Sequence, residues 1–321
     1  MSVSSAVNQV FRRGILKATT NGMVQRFVTR YGMQLGAARY VAGENLDEAV
    51  ESLRRLERQG FKTNTTIFGE HLEDEASANA IADEYQRVIA RLHEEGLRTN
   101  IALKPTHVGL NVSQELAFLN ISRLADKAAE VNNTIRMDME DSPWVDGTLG
   151  LYRQLRESGR DNVGTVLQAY LYRTEADLES LLPYAPNLRI VKGAYLEPPE
   201  IAYPSKADVD RAYVRITERA LLGDGYTAIA THDRRIIEHF VDFTYQHKIP
   251  RERFEFQMLY GIATDLQLQM LRRGYTVLIS TNYGMDWYPY LMRRMAERPA
   301  NLLFVARHAI RRPARNGASP G

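Results

Sequence analysis

The sequence predicts an α/β protein built as a (β/α)8 TIM-type barrel with N-terminal helices. Three observations carry that reading. From Phe61 onward, short apolar runs rich in β-branched and aromatic residues alternate with longer runs whose charges fall at helical spacing. The alternation repeats eight times, and repeated strand–helix units build a parallel sheet that eight of them can close. No G-x-G-x-x-G follows the first strand, so a Rossmann dinucleotide fold lacks its fingerprint.

The units follow in order. "FKTNTTIFG" (61–69) reads as the first strand and 73–95 as its helix. "RTNIALK" (98–104) precedes a helix over 113–130, and "TIRMDME" (134–140) one near 146–158. "NVGTVLQAY" (162–170) leads into 174–182, and "LRIVKGAY" (188–195) into 205–222. "YTAIATH" (226–232) is followed by 233–247, "RFEFQMLYG" (253–261) by 263–273, and "YTVLISTN" (275–282) by 286–297. A helical lead-in covers residues 1–59. Its clearest part is "GENLDEAVESLRRLERQG", where Asn45 or Asp47 can cap, Leu46, Ala49, Val50, Leu53 and Leu56 share a face, and Gly60 stops the helix. The expected division is a lead-in over 1–59, the barrel over 60–305 and a basic tail over 306–321.

Composition narrows the chemistry. The 321 residues carry a formal net charge of +2, which gives no electrostatic footprint for nucleic acid. With no cysteine, disulfides, thiolate nucleophiles and iron–sulfur clusters drop out. The seven histidines form no H-x-x-x-H pair, so no dedicated metal site is expected. No apolar run is long enough to span a membrane. The expected location is the cytoplasm. The basic, acid-poor start (Arg12, Arg13, Lys17, Arg26, Arg30, Arg39) and the basic end "RHAIRRPARNGASPG" could touch the inner face of a membrane. Oligomeric state is left open.

Barrel enzymes place their reacting groups at the C-terminal ends of strands. Each of the eight units has a polar group there: Glu70, Lys104, Asp138, Gln168, Lys192 with Tyr195, His232, Gln257, and Ser280 with Asn282. Strand ends meet water and are often polar, so any one of these is ordinary. Eight together point to one shared polar cavity, because a buried charge without a partner is costly. After the eighth strand, "WYPYLMRRMAERPAN" sets Tyr290, Arg293, Arg294 and Glu297 three and four residues apart, on one helical face. The ordinary alternative is a solvated Arg293–Glu297 pair. The aromatic "WYPY" favours a clamp for a carboxylate, which an arginine fork suits. Arg189, Lys192 and His232 add cations for phosphates. On these residues alone, an aldolase and a cofactor-dependent enzyme are supported equally.

At these positions the chain resembles the proline dehydrogenase family, in its short bacterial single-function form. "FGE" (68–70), "IALK", "RMDMEDSP", "VLQAYLYRTEADL", "NLRIVKGAYLEP", "ATHDRRII", "RFEFQMLYG" and "YGMDWYPYLMRRMAERPANLL" carry the resemblance, in order, over most of the chain. The resemblance implies a distorted barrel with non-covalent FAD at its mouth. It implies amino-acid oxidation in proline catabolism: L-proline to Δ1-pyrroline-5-carboxylate, a hydride passing from ring C5 to flavin N5, and electrons passing on to a quinone. Residue by residue, it implies that Arg293 and Arg294 bind the substrate carboxylate, that Glu70 pairs with the first of them, and that Tyr290 lines the ring. Leu259 and Ser280 join the substrate side. Lys104 and Asp138 match active-site positions near the amine, and Arg189 the arginine beside N5. Gln168, Lys192, Gly193, Ala194, Tyr195, Thr231, His232 and Glu297 match flavin-holding positions.

The chain departs from the family pattern in several places. Ser280 and Asn282 stand where Y-x-P-x-G has its tyrosine and proline, Thr66 where an aspartate is usual, and Leu196 where some members have tryptophan. Pro105 and His107 after Lys104 are also unusual. Losing the tyrosine should enlarge the pocket or admit a polar group. A flavin dehydrogenase of a hydroxylated or larger-ring amino acid is therefore the second reading. A flavin-binding protein without catalysis ranks below it. An aldolase using Lys104 or Lys192 as a Schiff base ranks lower still.

Overall fold

In the computed structural model the chain is described at residue 33 and over residues 37–69 and 71–297, with side chains through Met292. Eight strands pair in parallel, in sequence order, and close on themselves. They are β1 (Lys62–Ile67), β2 (Asn100–Leu103), β3 (Ile135–Met137), β4 (Val163–Gln168), β5 (Asn187–Val191), β6 (Tyr226–Ala230), β7 (Phe254–Leu259) and β8 (Val277–Tyr283). Closure between β8 and β1 runs from Lys62 opposite Leu278 to Ile67 opposite Tyr283.

Around the strands lie α1 (Leu46–Arg58), α2 (Glu75–Glu94), α3 (Gln114–Glu130), α4 (Val145–Glu157) and α5 (Thr174–Leu181). They are followed by α6 (Lys206–Leu221), α7 (Arg234–Gln246), α8 (Thr264–Arg272) and α9 (Trp287–Glu297). Each of the eight helices expected to follow a strand forms within about two residues of its reading. Local chemistry sets the starts. Asn45, Asp74, Ser113 and Asp233 each accept a backbone N–H of the first turn, satisfying donors the helix itself cannot.

The strands are shorter than their readings, and β3 keeps the fewest residues. "TIRMDME" yields only three strand residues. Asp138 N–H still bonds Leu103 O at 2.8 Å. Beyond it the chain turns into a 3-10 helix at Ser142–Trp144, where the Glu197 carboxylate takes both the Ser142 N–H and its hydroxyl at 2.7 and 2.8 Å. That bond ties the loop after β3 to the loop after β5.

The described part of the lead-in is fastened to the far edge of the barrel. Ala42 N–H donates to Asn282 O at 3.0 Å, Gly284 N–H to Gly43 O at 3.1 Å, and the Trp287 indole to Glu44 at 2.8 Å. Trp287, Tyr288 and Leu291 bury against Ala37, Tyr40 and Val41 as a satellite core. The aromatic run "WYPY" is therefore packing as well as cavity wall. The rest of the lead-in and the basic tail lie outside the described residues.

The main core fills the layer between strands and helices, with Leu53, Tyr85, Ile89, Ile121, Tyr152, Tyr213, Phe240 and Phe256 fully buried. The barrel interior is a different medium. Arg136, Glu255, Gln257 and Arg189 are all buried there, where barrels usually stack Val, Ile and Leu.

The helices from α1 to α8 are joined in succession by charge pairs. Asp47 of α1 pairs with Arg91 of α2, Asp83 of α2 with Arg123 of α3, and Asp126 of α3 with Arg160 just past α4. Asp146 of α4 pairs with Arg173, the residue preceding α5. Glu175 and Glu179 of α5 pair with Arg215 and Arg219 of α6. Glu218 of α6 meets His239 of α7, and Glu238 of α7 pairs with Arg273 beside α8. In these pairs the earlier helix supplies the acid and the later one the base; Arg54 of α1 with Glu95 just past α2 runs the other way. Exposed pairs of this kind are individually weak and screened by salt. Arg215→Ala combined with Arg219→Ala is expected to lower Tm by about 1–2 °C at low ionic strength. The difference should shrink in roughly 1 M salt, where the screening length is about 3 Å; a salt-independent loss would mean that packing, not charge, is at work.

Candidate active site

The strands deliver their C-terminal ends to one cavity of about 1340 Å³. Fourteen residues expected from the sequence line it: Lys104, Asp138, Gln168, Arg189, Lys192, Gly193, Ala194, Tyr195, Thr231, His232, Gln257, Leu259, Ser280 and Tyr290. Thr66, His107 and Asn282, three of the departures from the family pattern, line it as well. Glu70 and the side chains of Arg293, Arg294 and Glu297 lie outside the described residues. The backbone of α9 does place positions 293, 294 and 297 on the helix whose first turn, Tyr288 to Tyr290, walls the cavity.

Arg189 sits at the centre of a cross-barrel cluster. Its Nη1 donates to Asp138 Oδ1 at 2.6 Å and its Nε to Gln257 Oε1 at 2.6 Å. Asp138 directly follows β3, and the other two lie on β5 and β7; these strands are not neighbours in the sheet, so the groups meet only across the interior. Arg189 Nη2 is buried with no hydrogen-bond partner. A buried donor left unmade costs about 1–3 kcal/mol. Below it, Arg136 donates to Thr165 O and to Asn187 at 2.6 Å. Burial pushes the Arg136 guanidinium down to about 10, and the Arg189 charge adds to that fall. Gly164 makes the room: a Cβ there would lie 3.1 Å from Arg136 Nη1 and 2.8 Å from Asn187 O.

The wall from β5 and β6 is cationic but tethered. Lys192 pairs with Asp210 and lies 3.6 Å from Asp233 Oδ2. Burial alone would raise the Asp210 carboxyl, but its hydrogen bonds to Lys192 and Lys206 hold it below its ordinary value. His232 Nε2 accepts the Leu259 N–H at 2.9 Å, which places its ring proton on Nδ1 in the neutral form. Gln168 Nε2 donates to Glu140 O at 2.7 Å. The Glu140 carboxyl is raised by burial, an effect partly offset by bonds from the Thr106 N–H and hydroxyl. That anchor fixes the 3-10 turn Pro105–Val108 behind Lys104. The His107 ring packs onto Gly69, where a Cβ would come within 2.3 Å of it.

On the opposite wall Phe68 and Tyr290 set their rings 5.3 Å apart. Ser280 lines the cavity half-buried, and its carbonyl accepts the Tyr260 N–H at 3.0 Å. The site thus combines an apolar ring slot, a fixed cation, a carboxylate and a second basic wall. Sequence reading placed Gln257 at a strand end but gave it no role, and did not single out Glu255, Arg136 or Phe68. The signal was present in "RFEFQML", where Phe254, Phe256 and Met258 alternate with Glu255 and Gln257.

A family model described as Proline dehydrogenase matches residues 49–307. Proline dehydrogenase 1 of Bacillus subtilis (strain 168) is 38% identical over 94% of this chain and 100% of its own length. Proline dehydrogenase of Deinococcus radiodurans is 40% identical over 95% of this chain and 99% of that protein. Among solved structures, proline utilization A (PutA) from Bdellovibrio bacteriovorus, inactivated by N-propargylglycine, superposes with a TM-score of 0.79 at 22% identity. The match covers 91% of this chain and 36% of that longer one, and it shows a shared barrel.

Proposed function

Because this chain belongs to the proline dehydrogenase family, we propose that it oxidises L-proline to Δ1-pyrroline-5-carboxylate with a non-covalent FAD, electrons passing on to a quinone. The observation that carries the reading is Arg189: a cation held on two edges by Asp138 and Gln257 in the wall of a large cavity. A volume of about 1340 Å³ exceeds what a proline alone needs and suits an extended cofactor beside it. When bound, the flavin supplies the hydride acceptor that no side chain can be.

The chain's own residues supply binding, orientation and charge. Gln168, Arg189, Lys192, Gly193, Ala194, Tyr195, Thr231 and His232, with Glu297 on α9, would hold the cofactor. Arg293 and Arg294 would grip the substrate carboxylate, with Glu70 pairing the first of them. Tyr290 and Leu259 would flank the ring, and an oriented ring removes much of the entropy barrier. Asp138 and Lys104 would orient the amine that gives up its proton. Arg189 would stabilise the negative charge that develops on reduction. Among the described residues no helix is long and apolar enough to cross a membrane.

The test is optical. Purified protein should show flavin absorbance that L-proline bleaches without oxygen; colourless protein that gains no stability from added FAD would sink the reading. Arg294→Ala should raise KM for proline by about 10–100-fold with flavin content preserved. Equal loss of flavin would reassign the arginine to the cofactor.

Ser280 favours a second reading in which a hydroxylated proline is the better substrate, since a small hydroxyl residue lines the cavity where the family has tyrosine. Ser280→Tyr is expected to shift the kcat/KM ratio towards unsubstituted proline by roughly tenfold. An unchanged ratio would remove Ser280 from substrate choice.

A further inference from the structure

Beneath the cavity floor runs a line of buried groups that the proposed chemistry does not itself use. Alternation along β7 turns Glu255 and Gln257 inward, each 3% exposed. Gln257 Oε1 accepts from Arg189 Nε at 2.6 Å, and Gln257 Nε2 donates to Glu255 Oε1 at 2.7 Å. Glu255 Oε2 lies 3.6 Å from Lys62 Nζ at the start of β1. The amide cannot turn round. An arginine Nε only donates and a carboxylate only accepts, so each end of Gln257 has one allowed orientation. An arginine side chain carries about 2 kcal/mol of rotamer freedom, so its direction needs such anchors.

We propose that Gln257 and Glu255 are positioning residues for Arg189. They hold the guanidinium by its Nε edge while Asp138 holds Nη1, which fixes the plane of the cation where Arg189 lines the cavity. The inference rests on the flavin reading given above. A cation fixed before the reaction stabilises developing charge without reorganising, so releasing one edge should reduce turnover rather than binding.

Gln257→Leu removes the acceptor from Arg189 Nε and the donor from Glu255. The expected result is a kcat lower by about 10–100-fold, an unchanged KM for proline, and a midpoint potential of the bound flavin that moves negative. The double replacement Glu255→Gln with Gln257→Glu exchanges the two groups. The carboxylate at position 257 then accepts from both Arg189 Nε and the amide at 255, so kcat and potential should return towards wild type. The swap also answers the case in which Gln257→Leu fails to fold, because it keeps size and the bonds from Arg189 through 257 to 255, giving up only the charge pair with Lys62. In that case Glu255→Gln with Gln257→Glu should match wild type in potential and flavin affinity, whereas Gln257→Glu alone, which sets two carboxylates together, should not. Gln257→Leu with wild-type potential and kcat would overturn the proposal, as would an exchange that restores neither. If wild-type protein binds no flavin, the functional reading falls and this inference with it. If wild type binds flavin and the variants are indistinguishable from it, only the positioning role is lost.

Discussion

Replacing Arg189 with methionine is expected to lower kcat by about 10²–10³-fold, the usual consequence of removing a preorganised donor from where charge develops. Flavin content should fall far less, because Lys192, His232 and the loop after β5 remain. The variant should also be less stable. Asp138 and Gln257 both lose the partner 2.6 Å away, and breaking a buried pair from one side costs about 3–5 kcal/mol. Asp138 is partly solvated, with 26% of its side chain exposed, so the lower end is expected. Arg189→Met combined with Asp138→Asn should recover part of that stability, since no unpaired carboxylate remains, and none of the turnover. Urea unfolding and single-turnover flavin reduction separate the two effects. A single variant that keeps kcat within a few-fold would show that Arg189 serves the fold alone.

The second large effect is expected at Gly193. Its φ is +113°, and a Cβ there would stand 2.2 Å from the Tyr170 ring, which is only 7% exposed and cannot swing clear. Tyr170 N–H donates to Lys192 O at 2.9 Å, so the clash falls on the joint between the loops after β4 and β5. Gly193→Ala should therefore shed flavin, with Kd weakened by about tenfold or more, from roughly 1–2 kcal/mol of backbone strain plus the displaced ring. Gly96→Ala is the control. Gly96 also has positive φ, +68°, but nothing lies within 4 Å of its missing Cβ, and it follows α2 at the other end of the barrel. It should lose a little stability and keep its flavin. Wild-type flavin content in Gly193→Ala would show that Tyr170 can yield.

The fold was readable because its signals are local. Asn45 announces the helix that starts beside it, and the apolar runs from Phe61 onward alternate as eight repeats. Much of the cavity wall was readable for the same reason, since barrel strands deliver their last residue to one end. What escaped depends on several strands at once. That Gln257 meets Arg189, and Arg189 meets Asp138, follows from the stagger of β3, β5 and β7, which no single stretch encodes. The three-residue length of β3 escaped because Glu197, some sixty residues later, holds the following turn. The helix-to-helix pairs escaped too, since each depends on how two helices rotate about their axes. The carboxylate clamp at Arg293 and Arg294 remains a reading from spacing and family likeness.

The succession of charge pairs separates two kinds of mutational freedom. Most of these pairs stand alone between one helix and the next, so one can be lost, regained or strengthened without its effect spreading far; Arg91 and Arg173, which also hold Glu95 and Asp177, are shared. The axis has no such independence: Asp138, Arg189, Gln257 and Glu255 share bonds in series, and changing one alters what the next can accept. Sequence drift should therefore collect on the outer pairs, where heat resistance can be adjusted step by step. Changes along the axis should appear in compensating sets or not at all.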